Sequence, residues 1–404
     1  MKVLHVTSSY APAWQTGGVT RVVYEIATRE AGLGHQVSVF TTDWGIPRGH
    51  PRRGNPADLE GVSVRYFRNL SEVLARNKII LPLLAPATLR REVAGFDVVH
   101  IHEHRTLLAA AAAHYARKAG VPYIVQPHGS LPFGIGKARL YGLFYLVAGR
   151  AIIEGASRLV ASNDFEAGQF AGAGIPAGRC EIIPNGIDTA ACVPPPGGET
   201  FRAAYGIPAS GKVVLYLGRL NPIKGIDILI RAFSSVAAER GDVRLVIAGP
   251  DDGYLAGIQR LVGDPGLAGR VLVTGPLPER MKFLALRDAD LFVLPSRYDN
   301  FPVTVLEALA CGTPALITSH CGLAGMVREA GGPVADGDEA SISAGIRLLL
   351  GDEAAAEAYA AKAREILARD FDWGGIIPRY LDLYRRCMEG GKKPRGTGRE
   401  EGAR

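Results

Sequence analysis

Two carboxylates, Asp299 and Glu307, flank a strand-to-helix turn with seven residues between them. The stretch 295–314, PSRYDNFPVTVLEALACGTP, follows the apolar run Leu291 to Leu294, which predicts a buried parallel strand. A short helix should follow, with Val303, Leu306, Leu309 and Ala310 facing inward and Pro302 in its first turn, where a missing amide costs nothing. Gly312 and Pro314 end it in the expected order. Free amides and the helix dipole make such a turn a site for phosphate. Bare acids would repel a phosphate, but they can accept hydrogen bonds from hydroxyls on either side of a diphosphate. A nucleotide sugar has that shape. The plainer alternative is an acidic cap and a surface glutamate.

Other residues carry compatible chemistry. Gly17 and Gly18 lie between a strand, Val3 to Val6, and a helix from about Val19, where paired glycines let amides approach a phosphate; a flexible loop is the alternative. His128 follows the strand Val121 to Gln126, at the sheet edge where ligands bind in open α/β sheets; a capping or core role is the alternative. Arg219 and Lys224 sit in GRLNPIKG, 218–225, after the strand Lys212 to Leu217. This is no Walker loop, because the lysine precedes the last glycine and no Ser or Thr follows. His100, His102 and His104 alternate in DVVHIHEH and would share one face if the strand continued. Three imidazoles suit zinc, yet no carboxylate or cysteine helps them, and we assign no metal there.

The 295–308 run resembles the two-acid motif of retaining glycosyltransferases with the GT-B fold, the group 1 or family 4 type that includes many bacterial cell-surface polysaccharide and glycolipid enzymes. Their usual pattern is P-S-x-x-E-G-F-G, four residues, then E-A. Pro295, Ser296, Phe301, Glu307 and Ala308 match; Asp299 replaces Glu, and Asn300 and Pro302 replace Gly, so the departures fall at the sugar end. The resemblance extends over about 1–388 and includes the Gly-Gly, the His-Gly, IPNGID at 183–188, and GRLNPIKG. It implies that Gly17 and Gly18 reach the donor phosphate across a cleft and that Arg219 and Lys224 bind the diphosphate. It places His128 and Asp299 on the sugar as catalytic residues and Glu307 on the ribose, with Phe301 and Val303 also at the donor. TGPLPE, after Val273, resembles the loop that contacts the base.

The elements that must position these residues alternate strand and helix in two halves, and 404 residues are too many for one core. We expect an α/β protein with two Rossmann-like doubly wound parallel-sheet domains facing a cleft. The resemblance implies that residues 1–180 form an acceptor-side domain, 181–200 a junction, 201–370 a nucleotide-sugar domain and 371–389 a helix returning to the first domain; 390–404 reads as a disordered tail. Ile46 to Asp58 reads as a loop, Arg158 to Ser162 as the first domain's last strand, and Pro194 to Gly198 as a linker.

Residues 1–180 hold 20 Lys and Arg against 12 Asp and Glu, a balance of +8, while the remainder sums to −2. A basic half suits an anionic partner: a diphosphate, a lipid phosphate or an anionic membrane surface. The apolar, basic-ended segment Lys137 to Arg150 could lie on such a surface, or be core. No nucleic-acid signature is visible. Five cysteines without a CxxC pair, and an N-terminus with no long apolar core, fit the cytoplasm, with peripheral attachment to the inner face of the plasma membrane as an extension.

The resemblance implies transfer of a sugar from a nucleotide-sugar substrate to a glycan or lipid-linked acceptor, without cofactor or metal. A nucleotide-sugar epimerase of the same fold and a non-catalytic nucleotide-sugar-binding protein are the alternatives. The D-x-D strings at 288–290 and 336–338 are a strand entry and a turn, so Arg219 and Lys224 should carry the leaving group's charge. Transfer is therefore expected to survive EDTA unchanged; activity lost on chelation and restored by magnesium or manganese would contradict this.

Overall fold

In the computed structural model, residues 1–391 are described except 48, 51–55, 72–73, 76–78, 132–143, 145–147 and 193–199. The expected linker lies outside the described residues, as do most of segment 137–150 and the tail from 392 onward. The chain divides into two units. Unit 1 is Met1–Ser162, Ala167–Ile183 and the residues from Ile377 on; unit 2 is Asn163–Glu166 and Pro184–Ile376.

Unit 1 is built on β1 (Lys2–Val6), β2 (Gln36–Thr42), β3 (Pro56–Leu59), β4 (Val62–Phe67), β5 (Val98–His102), β6 (Tyr123–Gln126), β7 (Arg158–Ala161) and β8 (Cys180–Ile182). Their order in the sheet is β3-β4-β2-β1-β5-β6-β7-β8. All neighbours are parallel except β3 and β4. Unit 2 holds β9 (Lys212–Leu217), β10 (Val243–Ala248), β11 (Val271–Gly275), β12 (Leu291–Leu294), β13 (Ala315–Thr318) and β14 (Val334–Ala335). These run in the order β11-β10-β9-β12-β13-β14, all parallel. Each order reverses direction once, between β1 and β5 and between β9 and β12, and such switch points open a crevice at the strands' carboxyl ends.

Two expectations are corrected. The region 46–58 is not all loop, because Pro56–Leu59 pairs antiparallel with β4 as an edge strand. It is too short and too polar for periodicity to reveal. β7 is not the last strand of its sheet, since β8 adds beyond it. The two-residue β14 was likewise not foreseen.

The helices that matter for chemistry are α1 (Gly18–Gly32), α2 (Ile226–Glu239), α3 (Glu279–Asp288), α4 (Val303–Ala310) and α5 (Trp373–Gly391). α2 buries Ile226, Leu229, Ile230, Phe233 and Val236, the apolar stripe expected of a helix lying on a sheet. From Ile377 onward α5 belongs to unit 1, where Tyr380 reaches Gln126 (3.1 Å) and Tyr384 reaches His100 (2.8 Å). Gly390 and Gly391 are its last residues, not the start of the tail. Among the described residues no helix is long and apolar enough to cross a membrane.

Burial lowers the imidazoles of His100, His102, His104 and His128; those of His104 and His128 are pushed down to about 3. The native state thus binds fewer protons than the unfolded chain, whose histidines titrate near 6.5. Stability must fall as pH drops below that value, by roughly 1.4 kcal/mol per pH unit for each histidine kept neutral. The thermal midpoint of unit 1 is expected to fall steadily from pH 6.5 to pH 5. A midpoint constant over that range, followed by calorimetry, would contradict the buried neutral cluster.

Candidate functional site

In unit 2 the loops leaving β9 and β12 share the switch point. Gly225 makes their approach feasible: it has φ +67°, and a Cβ there would collide with the carbonyl of Pro295. Arg297 joins the loops to α2. Its amide donates to the Ile223 carbonyl (2.8 Å), and its guanidinium donates to both carboxylate oxygens of Asp227 (2.9 and 2.8 Å). Burial would raise the Asp227 carboxyl, but bonds from Arg297 and Arg231 outweigh it and hold the group below its usual range.

This frame holds the predicted cations, and each is matched to an acid. Lys224 Nζ lies 2.5 Å from Asp299 Oδ2, with both side chains only 16% exposed. Arg219 Nη1 lies 2.6 Å from Asp252 Oδ2, which also accepts from Asn221 Nδ2 (3.1 Å). The Arg219 and Asp252 side chains are 43% and 38% exposed, so their pairing is worth only about 0–1 kcal/mol. An arriving anion could displace it at little cost. Asn221 also caps the turn Pro222–Lys224 through the Ile223 amide (3.0 Å), fixing the loop that carries both cations.

Pro302 stands one residue before α4, as its N-cap, rather than inside the first turn. Val303 is half-buried, not inward; Val305 takes the buried place with Leu306, Ala308, Leu309 and Ala310. Of the first-turn amides, that of Val305 donates to the Pro302 carbonyl (3.0 Å), while those of Val303 and Thr304, with no carbonyl four residues back in the helix, can face a ligand. Phe301 is half-buried and packs on the unit 2 core, its ring 6.1 Å from that of Phe371. Glu307 receives Lys282 Nζ at 2.7 Å from α3. The pair lies beside Cys192 and Cys311, whose thiols are pushed up to about 12, by burial first and then by the Glu307 charge. The sequence reading did not single out Asp252 or Lys282. Each is an isolated charge whose partner is supplied only by tertiary folding.

The D-x-D strings have structural partners. Asp290 accepts from Arg202 (2.7 Å) and the Val213 amide (2.8 Å), Asp288 from the Phe201 amide (2.7 Å), and Asp338 caps a helix through Ser341 (2.7 Å).

In unit 1, Gly17 has φ +128° and caps α1, which begins at Gly18. A side chain at either glycine would meet open space, so room for a ligand exists beside the helix end. His128 adopts φ +52°, a left-handed conformation that costs a residue with a Cβ and is retained where the surroundings enforce it. Its Nε2 lies 3.1 Å from His102 Nδ1. β5 ends at His102, so His104 leaves the common face and its Nδ1 meets Ser130 Oγ (3.2 Å). The third imidazole beside His100 and His102 is His5, from β1, which is in register with His100.

Comparison with known proteins follows the same division. Residues 198–366 match the family model "Glycosyl transferases group 1", and residues 16–191 match "Glycosyltransferase Family 4". The chain is similar to a D-inositol 3-phosphate glycosyltransferase of Catenulispora acidiphila, 32% identical, covering 93% of this chain and 92% of the relative. It is also similar to a D-inositol 3-phosphate glycosyltransferase of Kineococcus radiotolerans, 28% identical, covering 94% and 93%. Among solved structures, sucrose-phosphate synthase from Thermosynechococcus elongatus superposes with a TM-score of 0.81 at 20% identity, covering 96% of this chain and all of that one. Anabaena HepE in complex with UDP-glucose superposes at 0.76, again at 20% identity, covering 96% and 100%.

Proposed function

This chain belongs to the group 1 and family 4 glycosyltransferases, has their GT-B fold, and transfers sugar from a nucleotide-sugar donor; on that footing we propose that it is a retaining enzyme acting without metal on a glycan or lipid-linked acceptor. The observation that carries the proposal is the pairing of Arg219 and Lys224 with acids at one switch point, beside the N-terminus of α4. Two cations and a helix end suit a diphosphate leaving group and can stabilise its developing charge. Within unit 2, Glu307, a turn inside α4, would accept the ribose hydroxyls, and Asp299, before the helix, would face the sugar; for His128 of unit 1, the role of sugar contact comes from the family resemblance. Among the described residues we assign no side chain as a nucleophile, and same-face attack by the acceptor, which the resemblance implies, is the step in this reading. UDP-glucose is bound by HepE; a nucleoside diphosphate hexose is the donor class we assign here. The basic balance of residues 1–180 favours an acceptor carrying lipid phosphate at an anionic membrane surface.

The division of labour between the two acids is testable. Glu307→Gln should weaken both free nucleoside diphosphate and nucleotide sugar, by the ~1.5–3 kcal/mol typical of a charge-assisted hydrogen bond. Asp299→Asn removes a competitor for Lys224, so it should leave diphosphate affinity unchanged or tighter while cutting transfer. Titration calorimetry with UDP, GDP and ADP beside single-turnover transfer separates the cases. Equal loss of diphosphate affinity in both variants would overturn the assignment.

A further inference from the structure

Beneath the switch point of unit 1 runs a chain of four buried or half-buried side chains. Glu30 of α1 and His5 of β1 are fully buried, and Glu30 Oε2 lies 2.9 Å from His5 Nε2. His5 Nδ1 lies 3.0 Å from His102 Nε2, and His102 Nδ1 lies 3.1 Å from His128 Nε2. The three rings are nearly parallel in sequence: His5 with His102 at 21°, and His102 with His128 at 18°. A metal would need nitrogen lone pairs, but both nitrogens of His5 and of His102 are occupied by this chain. Of the clustered rings of His5, His100 and His102, that leaves His100 Nε2, its Nδ1 facing Tyr384.

A neutral imidazole has one donor and one acceptor, and a carboxylate only accepts. The carboxylate therefore sets the direction of every bond. His5 donates from Nε2 to Glu30 and accepts at Nδ1; His102 donates from Nε2 and accepts at Nδ1; His128 donates from Nε2. Its Nδ1 is left bare. We propose that Glu30, His5 and His102 are positioning residues that hold His128 as the Nε2-protonated tautomer, so that its Nδ1 can only accept a hydrogen bond from a ligand hydroxyl. This rests on the reading of His128 as the sugar contact. It narrows that contact to a sugar O–H and excludes a phosphate oxygen or a ring oxygen, neither of which can donate. Burial lowers the His102 and His128 rings, keeping them uncharged as the scheme needs.

The test is the tautomer itself. In the full-length protein with ¹⁵N-labelled histidine rings at pH 7, long-range proton–nitrogen correlation should show protonated Nε2 and bare Nδ1 in His5, His102 and His128. Glu30→Gln keeps the shape but can donate as well as accept, so a second His128 form protonated at Nδ1 should appear. In that variant kcat/KM for transfer should fall roughly tenfold, the size of one lost hydrogen bond, with affinity for UDP, GDP or ADP unchanged. A wild-type His128 protonated at Nδ1, a doubly protonated His5, or ring signals rearranged by equimolar zinc would each overturn the relay. So would a Glu30→Gln spectrum identical to wild type. The wild-type spectrum stands whether or not the variant folds. If the wild-type protein transfers no sugar, the functional reading fails while the tautomer pattern can still hold.

Discussion

A diphosphate brings concentrated negative charge, and a protein that binds it must keep cations in place when it is absent. On the proposed reading, unit 2 does this with paired acids. Lys224 is held by Asp299 in a largely shielded contact, and Arg219 by Asp252 in a half-exposed one. The two pairings differ in cost. Separating a partly buried pair leaves an uncompensated charge unless a new anion replaces the old one, whereas the exposed pair yields readily. On the proposed reading the diphosphate captures Arg219 outright and shares Lys224 with Asp299, so the sugar-side acid and the phosphate-side cation remain coupled.

Everything around these pairs keeps the loops still. Parallel strands buried on both faces offer chemistry only at their carboxyl edge, and both switch points place it there. Gly225 allows contact between the loops, Arg297 ties them to Asp227, and Asn221 caps the turn before Lys224. Lys282 gives Glu307 a partner from the neighbouring helix, so an acid within an apolar stretch stays compensated.

Much of this was legible in the sequence because it is local. GRLNPIKG and the two-acid run each lie within one loop and one helix, and their glycines and prolines mark where the chain turns. What was hidden depends on tertiary placement. Asp252 and Lys282 look like ordinary surface charges until folding brings Arg219 and Glu307 beside them. His5 sits in an apolar strand and gains meaning only from the register of β1 against β5. In the alternating histidines the pattern pointed to His104 as the third ring, but the strand ends first and His5 takes that place. Val303 was misplaced because, in a helix of eight residues, the buried face is set by where the helix starts as much as by its period.

The pairing of acids and cations in unit 2 is the central claim, and one structure tests it directly. The full chain should be crystallised with whichever of UDP, GDP or ADP binds most tightly. The account predicts the ribose hydroxyls on the Glu307 carboxylate and the diphosphate bonded to Arg219 and Lys224, with Arg219 drawn away from Asp252. A nucleotide bound with its ribose away from Glu307, and the Arg219–Asp252 pair intact, would contradict it.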